Sequence, residues 1–587
     1  MRIVIDLQGA QTESRFRGIG RYSLSLALAM ARNAEEHEIW LVLNGTFPDS
    51  VPAIRSAFQG ILPQDRIRVF EVPAPVAEHS PINIWRARAA EKIREFFIQE
   101  LKPDVVLVTS LFEGYVDDAV TSIGTFVSGT NVAVILYDLI PYLNSTAYLS
   151  EPSQRQYYDR KIKSLKHADL LLAISEHSRK EAVEALALPM DRVVNISTAA
   201  DPKFRPTTLA PKEAAILRRR FGISRKMVLY APGGFDVRKN FDGLIHAYAL
   251  LPRKLRLDHQ LIIVSKISDY DRANLYRLRK DAGLAEDELI LTGYVSDDDL
   301  VVLYRLATLF VFPSKHEGFG LPALEAMACG VPTIGSDTTS IPEAIGLPEA
   351  MFDPSVPRSI ADKMEQCLRD ENLRIRLREH GLRQAGKFSW DKSAKLAISA
   401  LETLFLKGNQ KKEFVGQVMT KRPKMAYVTP LPPERSGISD YSAELVPELI
   451  RHYEIEVIVA QRAVSDPWIN EKCPIRSIEW FLEHGSDYER VLYHFGNSPY
   501  HSHMFGLLQK YPGVVVLHDF FLSSVLAYEE ITGGMPGAWT EALYRSHGYA
   551  ALHQRFSAGD LKEVERRYPC NLMVLQDALG VIVHSEF

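Results

Sequence analysis

A chain of 587 residues, 46% apolar and 24% charged, is too long for one hydrophobic core and has the make-up of a globular protein of three or more domains. Its net charge of −4 gives no electrostatic basis for binding nucleic acid, and no apolar run is long enough to span a bilayer. The four cysteines, Cys329, Cys367, Cys473 and Cys570, lack metal-ligand or disulfide-framework spacing, which predicts a reducing cytoplasm.

In chain order, Arg2 to Leu7 read directly as a strand rather than as the apolar region of a signal peptide. The strand leads into Arg17-Gly18-Ile19-Gly20-Arg21-Tyr22 and then a helix, the order of a close-approach loop in a doubly wound α/β domain. The spacing is not the dinucleotide fingerprint, and no acidic residue follows at the distance that would hold a ribose, which disfavours a nicotinamide enzyme. Further strands are predicted at Ile39–Asn44, Val105–Thr109, Val132–Tyr137 and Leu170–Ile174, alternating with helices, as in a parallel sheet covered on both faces. The segment from Ile84 to Leu101, with Trp85, Arg86, Arg88, Lys92, Arg94, Phe96 and Phe97, suits a basic amphipathic helix on an anionic membrane, or simply a solvated helix face. Asp138 follows a strand end and either faces a cleft or caps the next turn. Ser175 reads as a helix N-cap and His177 as structural.

A second α/β unit begins at Lys226–Tyr230 and runs through Gly233 and Gly234 to Arg238-Lys239-Asn240. Two adjacent cations after a glycine pair, at a strand-to-helix junction, fit a diphosphate; a solvated basic turn is the alternative. Strands follow at Gln260–Ser265 and Leu289–Leu291, the latter entering Gly293-Tyr294-Val295. Asp297 to Asp299 precede a helix and are read as first-turn charges rather than metal ligands. Leu309–Pro313 is a buried strand, and Glu317-Gly318-Phe319-Gly320-Leu321-Pro322 leads to Glu325 on a helix that Gly330 and Pro332 stop. The first N–H groups of such a helix have no internal partner and form an anion-binding end. Acceptor-only carboxylates at 317 and 325 suit sugar hydroxyls rather than phosphate, or else serve as one cap and one solvated residue. Residues 341–385 are helical and polar, Phe388–Trp390 starts a last amphipathic helix to about Leu406, and 407–424 is a linker.

After the linker the chain repeats itself. Arg435-Ser436-Gly437-Ile438-Ser439-Asp440-Tyr441 parallels residues 17–22, Val514–Asp519 parallels 134–138, and Gly580–Glu586 parallels 171–176. Three matches in one order predict a duplicated module whose second copy is partial. It holds no counterpart of Arg238-Lys239 or of the paired glutamates, so one active site is expected.

These motifs together resemble the retaining glycosyltransferases of the GT-B fold in glycosyltransferase family 4, carried by Gly18-Ile19-Gly20, Arg238-Lys239-Asn240, Gly293-Tyr294-Val295 and above all Glu317 to Glu325. The resemblance implies an N-terminal Rossmann-like acceptor domain over 1–205 completed by a helix at 388–406, a nucleotide-sugar domain over 206–387, the 407–424 linker, and a partial second module over 425–587. By motif, Arg238 and Lys239 would neutralise the donor diphosphate, and Glu325 would accept from the ribose. Glu317 with the N–H groups of Gly318, Phe319 and Gly320 would grip the sugar, and Tyr294 and Val295 would line the base pocket. Gly18, Gly20, Gly234 and Leu321 complete the donor-binding set, and no divalent metal or other cofactor is implied. Family members commonly carry a histidine where this chain has Tyr137, while the second copy has His518-Asp519; the acceptor-side catalytic group is therefore expected to be Asp138.

Tandem modules are similar to the polymerising mannosyltransferases of bacterial O-antigen biosynthesis. That similarity implies a cytoplasmic enzyme moving mannose from GDP-mannose to a lipid-linked glycan, peripheral at the inner membrane or bound to a membrane partner. GDP-rhamnose or UDP-glucose as donor, an epimerase or pyridoxal-phosphate phosphorylase on the same fold, and a non-catalytic glycan-binding scaffold are the alternatives.

Overall fold

A computed structural model describes residues 1–124, 130–208, 211–418, 422–557 and 559–585, with the side chains of 408–418 excepted. The chain divides into two compact units, Met1–Asn409 and Gln410–Phe587.

The first unit holds two sheets. Strands β1 (Arg2–Asp6), β2 (Glu38–Asn44), β3 (Ile67–Phe70), β4 (Val105–Val108), β5 (Asn131–Leu136), β6 (Leu170–Ala173) and β7 (Val193–Asn195) are ordered β3-β2-β1-β4-β5-β6-β7. Every pairing is parallel. Strands β8 (Lys226–Tyr230), β9 (His259–Ile263), β10 (Leu289–Leu291), β11 (Ala307–Phe312), β12 (Thr333–Ser336) and β13 (Met351–Phe352) repeat this as β10-β9-β8-β11-β12-β13. In each sheet the order reverses beside the first strand, the switch point where a doubly wound sheet opens a crevice at its carboxyl end. β4, β6, β9 and β12 are buried along their whole length, as both-face-covered strands must be.

The helix Trp390–Val418 returns to the first lobe. Trp390 meets Tyr22 edge to face at 5.1 Å, Asn33 Nδ2 donates to Asp391 Oδ1 at 2.8 Å, and Ala394, Ala397 and Leu401 are buried. The sequence predicts irregular chain from 407, but the helix continues to Val418. Between Lys407 and Val418 only the two glycines, Gly408 and Gly416, strongly oppose a helix, and polar composition by itself does not break one. Residues 419–421 of the expected linker lie outside the described set. The stretch 341–385 also departs from an all-helical reading, because the short edge strand β13 sits within it.

The helix Ile84–Glu100 corrects the expectation of a lipid-facing basic surface at two of its arginines. Arg94 is buried and donates from Nε to Asp6 Oδ2 at 2.6 Å. Arg88 binds Glu78 at 2.7 Å and Glu91 at 2.8 Å. These cations neutralise carboxylates inside the lobe and are not free to meet phosphate headgroups. Among the described residues no helix is long and apolar enough to cross a membrane.

The second unit contains β14 (Lys424–Val428), β15 (Glu454–Val459), β16 (Ile475–Ser477), β17 (Arg490–Phe495), β18 (Val514–Leu517) and β19 (Gly580–Ile582). Their order, β16-β15-β14-β17-β18-β19, is that of the first six strands of the chain. The helix Gly437–Leu449 follows β14 as Gly18–Arg32 follows β1, which is the architecture the internal repeat predicts.

Candidate active site

The centre of the first unit is Glu317, 8% exposed, in the loop after β11. Lys239 Nζ lies 2.6 Å from its Oε1 and Arg238 Nη1 lies 2.8 Å from its Oε2, so two cations converge on one carboxylate. Burial pushes the Glu317 carboxyl up, but Lys239 and then Arg238 outweigh it and hold the group below its ordinary range. Burial likewise lowers Lys239, with Glu317 opposing it.

Local sequence fixes this arrangement. Asp236 caps the turn Val237–Lys239 by accepting from Arg238 N at 2.9 Å, and buried Tyr230 donates to Lys239 O at 2.6 Å. Asn240 takes the left-handed conformation at φ 59°, with Nδ2 donating to Pro313 O at 3.0 Å and Pro354 O at 2.7 Å. On the other side, Thr339 Oγ1 accepts from Glu317 N at 3.3 Å and Ser340 Oγ donates to Glu317 O at 2.8 Å.

Beyond Glu317, Gly320 at φ 104° is the N-cap of the helix Leu321–Ala328. The N–H groups of Gly318, Phe319, Gly320 and Leu321 donate to no other backbone group among the described residues. Four such donors beside two cations make an anion-binding corner. The Phe319 side chain is buried and meets Phe388 at 5.3 Å, so its contribution to a ligand is its backbone. Gly234, at the mouth of the preceding loop, has nothing within 4 Å of a would-be Cβ.

The first lobe closes over this corner. Ser178 Oγ is 3.0 Å from both Tyr137 O and Gly318 O, so one hydroxyl ties the lobes together. Tyr148 donates to Asp236 Oδ1 at 2.6 Å. Arg21, just after Gly20, reaches Asp297 Oδ1 at 2.7 Å, and Lys203 reaches Asp297 Oδ2 at 2.6 Å. The helix at Asp297 is capped by Ser296, so its acidic first turn serves the helix dipole and the lobe contact.

A family model described as "Glycosyl transferases group 1" matches residues 215–384. "O-antigen chain mannosyltransferase B" of Escherichia coli is 30% identical over 390 residues, covering 66% of this chain and 96% of that protein. The chain belongs to the group 1 glycosyltransferases. "Serotype-specific mannosyltransferase WbdA" of Escherichia coli is 38% identical over 405 residues, covering 69% of this chain and 48% of the relative. The chain thus spans about half the length of the WbdA relatives it matches. A glycosyltransferase structure from Rickettsia africae ESF-5 shares the fold, with TM-score 0.50 at 15% identity, covering 69% of this chain and 98% of that one. The two facing lobes are therefore a GT-B glycosyltransferase fold.

Within this glycosyltransferase, Asp138 sits after β5 and accepts from Ile140 N at 3.0 Å, so it caps the turn while remaining near the corner. Burial raises its carboxyl and Arg238 opposes the rise. Tyr137 stands in place of a histidine and braces the lobe. Its hydroxyl lies 2.9 Å from Ser23 Oγ and donates towards Thr109 O at 3.0 Å and Ile19 O at 3.2 Å. It thereby fixes the first turn of the helix Gly18–Arg32, which begins at Gly18 where the sequence predicts a loop. Gly20 packs on backbone, where a Cβ would meet Ser14 O at 2.4 Å, whereas Gly18 faces open space.

Glu325 accepts from Tyr304 at 3.2 Å, and its carboxyl is pushed up to about 7 by burial, with Arg21 opposing. Tyr294 is exposed, while Val295 is buried in the core of its lobe. Asp236, Tyr148, Thr339 and Ser340 escaped the sequence reading. Only the Asp-x-Arg-Lys spacing, an Asx cap ahead of the cations, signalled any of them.

In the second unit, a cleft of about 490 Å³ is lined by Ser436, Gly437, Tyr441, Asn497, His518 and His584 among others. His518 Nε2 is 2.9 Å from His494 Nδ1, and its Nδ1 is 2.9 Å from His584 Nε2. Burial first, then His584, pushes His518 down to about 4.

Proposed function

We propose that the first unit is a retaining mannosyltransferase that moves mannose from GDP-mannose onto a bacterial polysaccharide acceptor of the O-antigen type. The observation that carries the reading is the convergence of Arg238, Lys239 and four N–H groups without a backbone partner at one strand-to-helix junction. That corner suits a diphosphate leaving group, and the names of the mannosyltransferase relatives favour mannose as the sugar. Arg238 and Lys239 would take the negative charge that develops on the departing phosphate, which needs no divalent metal or other cofactor. Glu317 would then exchange part of its cation pairing for sugar hydroxyls, with Gly318, Phe319 and Gly320 N–H beside it. Tyr294 would border the base through its exposed ring and Val295 through its backbone, its side chain being in the core, and Glu325 would hold the ribose.

The transfer is a front-face displacement: the departing phosphate oxygen takes the acceptor proton as the new glycosidic bond forms. Asp138 would orient the acceptor and stabilise positive charge at the anomeric carbon. The acceptor is a glycan or lipid-linked oligosaccharide, reached from the cytoplasm. Exposed Ile82, Ile84, Trp85 and Phe96, clustered at the helix Ile84–Glu100, favour peripheral contact with the inner membrane or a membrane-bound partner.

The test is incubation of the chain with GDP-mannose, GDP-rhamnose or UDP-glucose and a mannose-terminated acceptor. Extension with GDP-mannose alone is expected; extension only with another donor would replace the sugar assignment.

Glu325 gives the reaction a pH dependence. Its ionised carboxylate would accept hydrogen bonds from the ribose, and it protonates as pH falls through about 7. The donor KM is therefore expected to rise below pH 7, by up to about tenfold per pH unit for one linked proton. Glu325→Gln should flatten the profile at a uniformly higher KM. For stability the sign is opposite: a carboxyl raised above its ordinary 4.5 stabilises the fold below that value and loses this contribution as pH rises through about 7.

A further inference from the structure

Beside the catalytic corner lies a side-chain cluster that mannosyl transfer does not use. The helix Glu176–Leu186 of the first lobe carries His177 and Glu181 four residues apart and hence on one face. From the second lobe, the loop after β11 brings His316, the residue before Glu317. Glu181 Oε1 lies 3.1 Å from His177 Nε2 and 2.8 Å from His316 Nε2. One ligand atom from each of the three residues falls within 4.8 Å of the others.

A hydrogen-bonded trio would explain proximity, but the geometry argues against it. Both Nε2 atoms and Glu181 Oε2 are buried, and the two ring nitrogens face Glu181 Oε1 as ion-pair partners at 3.1 and 2.8 Å without good hydrogen-bond alignment among the described residues. At 2.8–3.1 Å from a carboxylate oxygen, a ring nitrogen fails as a donor when its N–H points out of line with the acceptor, or when the proton sits on Nδ1 and two lone pairs face each other. Two misaligned, desolvated imidazole nitrogens are costly to leave unmade. An ion seated beside Oε1 would satisfy both, since a tetrahedral site with bonds of about 2.0–2.1 Å has ligand edges of about 3.3 Å. The side chains are 29%, 14% and 18% exposed for His177, Glu181 and His316, so the cluster lies near the surface while its ligand atoms are covered.

The donor chemistry selects the ion. Two imidazoles and one carboxylate suit zinc or a neighbouring transition metal, whereas magnesium and calcium prefer all-oxygen shells. Arg238 is engaged elsewhere: its Nη1 donates to His316 O at 2.8 Å and to Glu317. Asp138 and Glu317 add negative charge close by, Asp138 being within electrostatic reach of His316.

We propose that His177, Glu181 and His316 form a zinc-type divalent-metal site that clamps the two lobes in the closed arrangement. Two ligands come from one lobe and one from the other, so the bound ion links them and fixes the backbone at Glu317. This is a regulatory or stabilising site and takes no part in neutralising the leaving group.

The test uses the whole chain, stripped with chelator and titrated with Zn²⁺ by calorimetry and with Co²⁺ by visible absorption. One equivalent bound at these residues, tetrahedral Co²⁺ bands and a raised Tm with Zn²⁺ are expected. His177→Gln, Glu181→Gln and His316→Gln should each weaken Zn²⁺ binding about 100-fold or more, since even outer-shell losses cost 10–100-fold. His518→Gln, in the second unit, should leave this binding unchanged. Circular dichroism confirms that each variant folds, and retention of binding by any one properly folded ligand variant already contradicts the three-ligand site. No binding by the native chain, or undiminished binding by a His177→Gln/His316→Gln double variant, overturns the proposal.

Discussion

Lys239→Ala is expected to lower kcat/KM for transfer by about a hundredfold or more, because it removes a preorganised cation from the developing phosphate charge. It also leaves Glu317, 8% exposed, with Arg238 as its remaining counter-ion. Breaking a buried ion pair from one side costs about 3–5 kcal/mol, so Tm should fall together with activity. Lys239→Met/Glu317→Gln separates the two effects. With both charges gone the double variant should regain most of the stability and none of the transfer. Steady-state kinetics and thermal denaturation of the single and double variants provide the check, and near-normal turnover by Lys239→Ala would exclude the cationic corner as the catalytic device.

The second large effect is steric. A Cβ at Gly318 would come 2.5 Å from Tyr137 O, a backbone atom held at the end of β5. Gly318→Val therefore obstructs closure while each lobe keeps its own core. Displacing reacting groups by about 1 Å costs on the order of a hundredfold, and a loss of at least that size is expected in kcat. Binding of the nucleotide diphosphate to the second lobe should change only a few-fold, as calorimetry with GDP would measure. A Gly318→Val protein that turns over normally would show that the closed contact is dispensable.

Much of this site was legible in the sequence because its parts are local. Strand, glycine loop and helix start lie within a few residues of one another at 2–22, 226–241 and 307–328, and each prints its own turn and capping signals. The repeat of residues 17–22, 134–138 and 171–176 was equally readable, and the third sheet has the order it implies. What remained hidden is pairing between distant segments. Nothing near Arg94 reveals Asp6 as its partner, so a buried ion pair read as an outward-facing charge, on a membrane or in solvent. Nothing near Glu317 reveals that Arg238 and Lys239 bind the carboxylate itself, or that Thr339 and Ser340 hold its backbone. His177 and Glu181 meet His316 only because two lobes close. The short edge strands β3, β7 and β13, of two to four residues, carry too little periodicity to be recognised, whereas β10, as short, is all apolar and flanked by a glycine turn.

One retaining mannosyl-transfer site, built on Glu317, Arg238 and Lys239, is proposed to operate in the first unit. Its most direct test is NMR linkage and anomeric analysis of the product made by the chain from GDP-mannose and a mannose-terminated acceptor. A single kind of mannosyl linkage with the α configuration of the donor, abolished by Glu317→Ala, is expected. An inverted β linkage, two kinds of linkage, or product that persists in Glu317→Ala would contradict it.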